Sequence, residues 1–203
     1  SDDITARLER DGVRVVHGRG RLAGPHKVAV ALNSGGEEIV EGDALLVATG
    51  AAPRVLPSAQ PDGERILTWE QVYNLTDVPE HLIVVGSGVT GLEFASAYLS
   101  LGAEVTLVSS RDRVLPGEDA DAATVLEDVL TRRGMQVLGK SRMESVTRDG
   151  DDVTVTLTDG RSVTGSHCIL ALGSVPNTAG LGLEEAGVEL DQGGFIQVDK
   201  VSR

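Results

Sequence analysis

The sequence predicts a three-layer α/β fold: a parallel sheet with helices and a β-meander, plus part of a second domain of the same kind. Three observations predict it. Strand-like segments at Leu82–Val85, Val105–Val108 and Met135–Leu138 alternate with helix-length segments, the order that builds a parallel sheet with right-handed crossovers. From Glu144 to Val163 apolar and polar residues alternate, with Asp-Gly turn signals at Asp149-Gly150 and Asp159-Gly160, as in antiparallel hairpins. The chain also repeats part of its own pattern.

In chain order, Ile4 and Leu8 share one helical face, and Gly12 is a C-terminal stop. Val13–Val16 reads as a short strand and Lys27–Leu32 as an alternating one, closed by an Asn33–Gly36 turn. Ala44–Ala48 is continuously apolar, as expected of a strand covered on both faces. It runs into Thr49-Gly50-Ala51-Ala52-Pro53. Trp69–Asn74 reads as a short helix and Asp77–Pro79 as a linker. A glycine-rich turn, Gly86–Gly91, follows the strand at Leu82–Val85 and opens a helix over Leu92–Leu101, stopped by Gly102. Asp119–Arg133 is an amphipathic helix, acidic at its start and basic at its end, which suits the helix dipole. Gly134 stops it. His167–Leu172 is a buried strand ending in Gly173-Ser174-Val175-Pro176-Asn177, and Phe195–Asp199 reads as a strand with no partner after it.

Leu8–Val16 parallels Leu130–Leu138, and each copy closes on Ala-x-Gly-x-x-Pro, at Ala48, Gly50 and Pro53 or at Ala171, Gly173 and Pro176. Gly12 to Gly50 spans 38 positions, Gly134 to Gly173 39. The second copy has its glycine turn at Gly86; the first would need one upstream of Ser1. The expected division is therefore a partial domain over 1–78, a whole dinucleotide-binding domain over 79–190, and a return to the first over 191–203.

A formal charge of −13 argues against a nucleic-acid surface, which needs clustered Lys and Arg. No apolar run reaches the roughly 20 residues of a bilayer span. The single cysteine, Cys168, precludes an internal disulfide framework and points to the cytoplasm. It reads as a core thiol. His17, His26, His81 and His167 lack metal-ligand spacing, and Glu118–Asp121 reads as a helix cap, so no metal is expected.

Gly86-Ser87-Gly88-Val89-Thr90-Gly91 is the sharpest motif. Alone, G-x-G-x-x-G is weak; here it joins a buried strand to a helix that leads into a second strand. Gly86 permits the tight turn, Gly88 the approach of a pyrophosphate, and Gly91 close helix–strand packing. Unpaired amides at the positive helix end then face the anion. Where NAD-selective sites carry an acid after the second strand, this chain has Ser109-Ser110-Arg111. These hydroxyls and Arg111, with Arg113 nearby, suit a 2′-phosphate; a solvated loop is the competing reading. NADPH is expected to be accepted, with NADH left open. Glu93 is explained by the helix dipole alone.

Together these residues resemble the pyridine nucleotide-disulfide oxidoreductase family, through Ala48-Thr49-Gly50, Val85–Glu93 and Ala171–Asn177 in that order. The resemblance covers essentially the whole chain and leans to the quinone-reducing, dihydrolipoamide dehydrogenase-like branch. It implies a Rossmann-like FAD/NAD(P)-binding fold in which Gly86, Ser87, Gly88, Val89, Thr90 and Gly91 hold the nicotinamide cofactor and Gly173 lies beside its ribose. Gly20, Thr49 and Gly50 would belong to the FAD domain, and Glu93 would sit near nicotinamide and flavin as the catalytic residue. Val89 stands where some relatives carry an aromatic gate. Ser109 replaces the acid of NAD-specific members, and Ser174 an arginine. The redox-active cysteine pair and catalytic histidine of disulfide reductases would lie outside this chain.

The expected function is the central part of an enzyme passing hydride from NAD(P)H to FAD and on to a small-molecule acceptor, a quinone first and dihydrolipoamide second. The non-enzymatic alternative is a nucleotide-binding module; the isolated chain is expected to be colourless and inactive. Relatives of this family dimerise through a C-terminal domain, so the full-length protein is expected to be a homodimer and this chain a monomer.

Overall fold

The structure, a computed structural model, describes residues 2–201. Helix α1 (Asp2–Arg10) ends as the sequence predicts: Gly12 has φ +82°, its amide donates to the Glu9 carbonyl and that of Val13 to the Leu8 carbonyl. This left-handed stop satisfies carbonyls that the last helical turn leaves open. Strands β1 (Gly18–Leu22), β2 (Lys27–Leu32) and β3 (Glu37–Glu41) then form an antiparallel meander in that order. Val13–Val16 lies outside any strand. So does Ala44–Ala48, with Leu46 89 % exposed. A strand needs a neighbour for its backbone groups, and among the described residues no segment pairs with either run.

The chain forms two compact units, Ser1–Ala52 with Val175–Arg203, and Pro53–Ser174. These limits differ from the expected 78/79 and 190/191. The residues after Pro53 join the second unit because β5 (Ile66–Thr68), a strand the sequence analysis did not mark, enters its parallel sheet. The residues after Ser174 join the first because the Leu22 amide donates to Leu181 O at 2.7 Å. A Cβ on Gly182 would overlap the Leu22 carbonyl oxygen, so only glycine allows that approach. The strands at the two crossings, β4 (Ala51–Pro53) and β13 (Ser174–Pro176), pair with each other.

The second unit is built on a five-stranded parallel sheet. After β5 come a 3₁₀ turn (Gln71–Asn74), β6 (His81–Val85), α2 (Val89–Leu101), β7 (Glu104–Val108), α3 (Ala120–Arg132), β8 (Gln136–Leu138), the meander strands β9 (Met143–Asp149), β10 (Asp152–Leu157) and β11 (Ser162–Gly165), and β12 (His167–Leu170). The sheet order is β5-β12-β6-β7-β8, and β9–β11 make a separate antiparallel sheet. The expected 3.6- and 2-residue periods are both present. Alternate residues of the central strands face opposite ways: Leu82, Val84 and Ile169 pack with Leu92, Ala95 and Leu130 of the helices, while Ile83, Val85, Cys168 and Leu170 pack with Val146, Val153 and Val155 of the meander. Helices, parallel sheet and meander are the three layers, as predicted.

Helix ends follow the sequence closely. Gly102 caps α2 at φ +99°. The Asp119 carboxylate accepts from the Asp121 and Ala122 amides at 3.1 and 3.0 Å, capping α3. Phe195–Asp199 is not a strand; Ile196 makes an isolated bridge to Leu190, held by Asp191 N to Phe195 O at 2.8 Å and Gln197 N to Glu189 O at 2.9 Å.

Candidate functional site

At the C-terminal edge of the parallel sheet, β6 gives way to the turn Gly86-Ser87-Gly88 and α2 begins at Val89. The three glycines have different reasons to be there. Gly86 sits at φ +118° and a Cβ on it would overlap the Ala171 carbonyl oxygen. A Cβ on Gly91 would overlap the carbonyl oxygen of Gly86. Both glycines therefore serve the packing of strand, turn and helix. Gly88 is different: a Cβ there would meet nothing within 4 Å, and its backbone has an ordinary φ of −72°. Its small size keeps space open in front of the helix.

The amides of Ser87, Gly88, Val89, Thr90 and Gly91 donate to no acceptor among the described residues, and Gly88 caps α2 without a side-chain bond. These are the orphan donors of a helix start, pointing where the helix dipole favours an anion. The Leu115 amide donates to Ser87 O at 2.8 Å. Because a trans peptide sets its C=O and N–H in opposite directions, that bond turns the Gly88 N–H away from the Leu115 loop. Leu115 itself sits at φ +45°, and Val114 N is held by a Glu127 carboxylate oxygen at 3.0 Å.

A cleft of about 280 Å³ opens at this edge, lined by Gly86, Ser87 and Gly88, by Ser110 and Arg111 after β7, by Ser141, Arg142 and Met143 after β8, and by Ala171 and Leu172 after β12. Such a gathering of loops at the carboxyl ends of parallel strands is where open α/β sheets bind ligands. The cleft lining carries two arginines and no carboxylate in a chain of net charge −13.

The structure brings Gly86, Ser87, Gly88, Ser110 and Arg111 together and separates other candidates from them. Ser109 is 1 % exposed. Its hydroxyl lies 2.6 Å from that of Ser87 and accepts the Arg111 amide at 3.0 Å. It braces the turn through Ser87 and does not line the cleft. Arg113 is likewise committed, donating to the carbonyls of Pro116 and Glu118 at 3.3 and 3.2 Å. Val89 and Glu93 line a separate apolar groove between α2 and α3, with Leu92, Leu115, Leu126 and Leu130. Thr90 is exposed. Gly173 has φ +87°, and its carbonyl accepts the Arg54 amide at 3.0 Å. Within the first unit, Gly20 and Thr49 line one pocket of about 330 Å³ with Leu22, Val28, Leu181 and Leu183. Gly50, at φ +69°, offers its carbonyl to the Asn177 amide.

Sequence reasoning missed Ser141, Arg142 and Met143. The signal was present: in a parallel sheet the residues just past each strand end meet at one edge, and β8 ends at Leu138. Cys168 is a core thiol as expected; it is fully buried, and burial pushes its pKa up. Among the described residues no group of three or more His, Cys, Asp or Glu is placed to hold a metal, and no helix is long and apolar enough to cross a membrane.

The sequence profile of the pyridine nucleotide-disulphide oxidoreductases matches residues 1–203. The chain belongs to this family. Among its curated oxidoreductase relatives, an NAD(P)H dehydrogenase (quinone) of Mycobacterium tuberculosis is 55 % identical over 209 residues, covering 100 % of this chain and 42 % of the relative. A dihydrolipoyl dehydrogenase of Zymomonas mobilis is 36 % identical over 200 residues, covering 97 % and 43 %. The crystal structure of LpdA from M. tuberculosis superposes with a TM-score of 0.87 at 55 % identity, over 100 % of this chain and 46 % of that one. The flavoprotein disulfide reductase RclA of Escherichia coli gives 0.78 at 25 % identity, over 98 % and 47 %. The chain thus spans less than half the length of these oxidoreductases, and its α/β fold is theirs.

Proposed function

We propose that this chain supplies the nicotinamide-nucleotide-binding unit, and part of the flavin-binding unit, of an enzyme passing hydride from NAD(P)H to FAD and on to a quinone. One observation carries the reading: open space at Gly88, in a turn and helix start whose five successive amides have no partner among the described residues. A pyrophosphate supplies the acceptors such donors lack, so the residues fit the group. Gly86 and Gly91 would keep the turn closed, and Ser110 and Arg111 would meet the adenosine ribose. Gly20, Thr49 and Gly50 would contribute to FAD, whose isoalloxazine supplies the hydride-accepting centre when bound. Glu93 and Gly173 are proposed nearer the nicotinamide; Glu93 does not line the cleft.

A quinone is the proposed acceptor because the quinone dehydrogenase is a 55 % identical relative, whereas the dihydrolipoyl dehydrogenase of Z. mobilis is 36 % identical. We place the protein in the cytoplasm and its full-length form in a homodimer. Assay of the full-length protein with a soluble quinone and with lipoamide separates the two acceptors.

The binding reading is tested by Gly88→Val. A Cβ at this position meets nothing within 4 Å in the free protein, and the side chain would take the place of a pyrophosphate. Calorimetry should show ADP and dinucleotide binding weakened about a hundredfold or more, with an unchanged unfolding midpoint. Undiminished binding by the folded variant would put the nucleotide elsewhere.

A further inference from the structure

We infer that Arg142, from the loop after the third strand of the glycine-turn unit, is a second specificity-determining cation and clamps the adenosine 2′-phosphate of NADPH together with Arg111. The inference rests on the dinucleotide reading of the cleft.

Main-chain bonds place the two arginines on neighbouring loops. The parallel pairing of β7 and β8 ends at Val108 and Leu138, but the two loops stay joined beyond it. Ser109 N donates to Leu138 O at 2.9 Å, Ser141 N to Ser109 O at 2.7 Å, and Lys140 N to Arg111 O at 2.7 Å. Lys140 adopts φ +53° to turn the chain there. Ser141 is 1 % exposed and its hydroxyl donates to Gly139 O at 3.0 Å. The Arg142 carbonyl accepts Thr158 N at 2.9 Å. The backbone of both loops is thereby held, while neither arginine side chain has a partner among the described residues.

That freedom is shared by Arg7, Arg10, Arg19 and Arg21, but none of those lines the cleft. Arg14, Arg65, Arg148 and Arg161 all pair with carboxylates, and Arg113 is spent on loop carbonyls. Neither Arg111 nor Arg142 makes an ion pair or a side-chain hydrogen bond among the described residues, although both line the same cleft and no carboxylate lines it with them. Two unpaired guanidinium groups suit one dianion well, since each can donate in a planar fork to phosphate oxygens. The pyrophosphate has its own donors at the glycine turn. The extra dianion that distinguishes NADPH from NADH is the 2′-phosphate, and the buried Ser109 stands where an acid would repel it.

The test compares the 203-residue chain with Arg142→Ala by calorimetry, using 2′,5′-ADP and ADP as probes. Arg142→Ala should weaken 2′,5′-ADP about tenfold or more, as loss of a charge-assisted bond does, while ADP changes less than about twofold. Arg111→Ala should act in the same direction. Equal losses for both probes would overturn the inference and assign Arg142 to the general field of the cleft; no loss for either would overturn it as well. If the unaltered chain binds neither probe, the dinucleotide reading itself falls and takes this inference with it. The Arg142 side chain has no internal partner, so an unchanged unfolding midpoint is expected of the variant and shows that any loss is local.

Discussion

The chain carries two versions of one local pattern, and they end differently. Both Ala44–Pro53 and His167–Pro176 are apolar runs that turn at Ala-x-Gly-x-x-Pro, with Gly50 and Gly173 at nearly the same left-handed φ, +69° and +87°. In the second, β12 lies between β5 and β6, and Cys168, Ile169 and Leu170 are at most 1 % exposed. In the first, Leu45–Ala48 pairs with no strand among the described residues, and Leu46 is 89 % exposed. The turn is a local property set by glycine and proline. The strand is not, because its hydrogen bonds and its burial both come from neighbours.

The largest expected contrast is in the cost of truncation. Ile169 is fully buried among Leu82, Val84, Leu92 and Leu107. Ile169→Ala should lower the unfolding free energy of its unit by about 2–5 kcal/mol, the transfer loss plus the cavity left behind. Urea denaturation measures this. A loss under about 1 kcal/mol would mean that β12 is packed no better than the first version of the pattern.

The same contrast explains what could be read in advance. The sequence determined β6, the glycine turn, α2, β7, α3 and the meander, because their periods are long and their caps are local: Gly102 and Asp119 sit where the rules put them. It did not reveal β5, whose Ile66, Leu67 and Thr68 are all buried. Three residues carry no period, and only pairing with β12 makes them a strand. Val13–Val16 and Ala44–Ala48 failed the other way, with strand-like composition and no neighbour. At the site, the glycine turn was legible because its chemistry is contiguous. Arg142 was not, because only the β7–β8 pairing carries it to Arg111, 31 positions back in the sequence. Ser109 was assigned to the ligand from its position; burial gives its hydroxyl to Ser87 instead.

A smaller effect should come from the turn that delivers β5 to β12. The Asp62 carboxylate accepts the amides of Glu64, Arg65 and Ile66 at 2.8–2.9 Å and the Arg148 guanidinium at 3.1 Å. Arg148 comes from the meander strand β9 and also binds Glu64 at 2.6 Å. Burial alone would raise the Asp62 pKa; the three amides and Arg148 outweigh it and hold it down to about 2. A carboxylate whose pKa is lowered by folding stabilises the fold when ionised. The contribution is therefore complete above the ordinary aspartate value of 3.8 and is lost as the pH falls through about 2. Asp62→Ala should cost about 1 kcal/mol near neutral pH, in line with other side-chain caps of backbone amides, and the difference from the unaltered chain should shrink between pH 4 and 2. Parallel unfolding curves over that range would show that the carboxylate does not act through its charge.

The smallest expected effect is the most informative about the first version of the pattern. Leu46 has the apolar character of a core residue and almost none of the burial. The hydrophobic contribution of a side chain scales with the area it removes from water, so in this chain Leu46 has little to lose. Leu46→Ala should change the unfolding free energy by less than about 0.5 kcal/mol, against the several kcal/mol expected at Ile169. The amides of Leu45–Val47 should also exchange with solvent far faster than those of Cys168–Leu170, because backbone groups without a neighbouring strand are not protected. A cost at Leu46 comparable to that at Ile169, or protected amides at Leu45–Val47, would mean that this run is paired in solution and that composition alone was enough to make the strand.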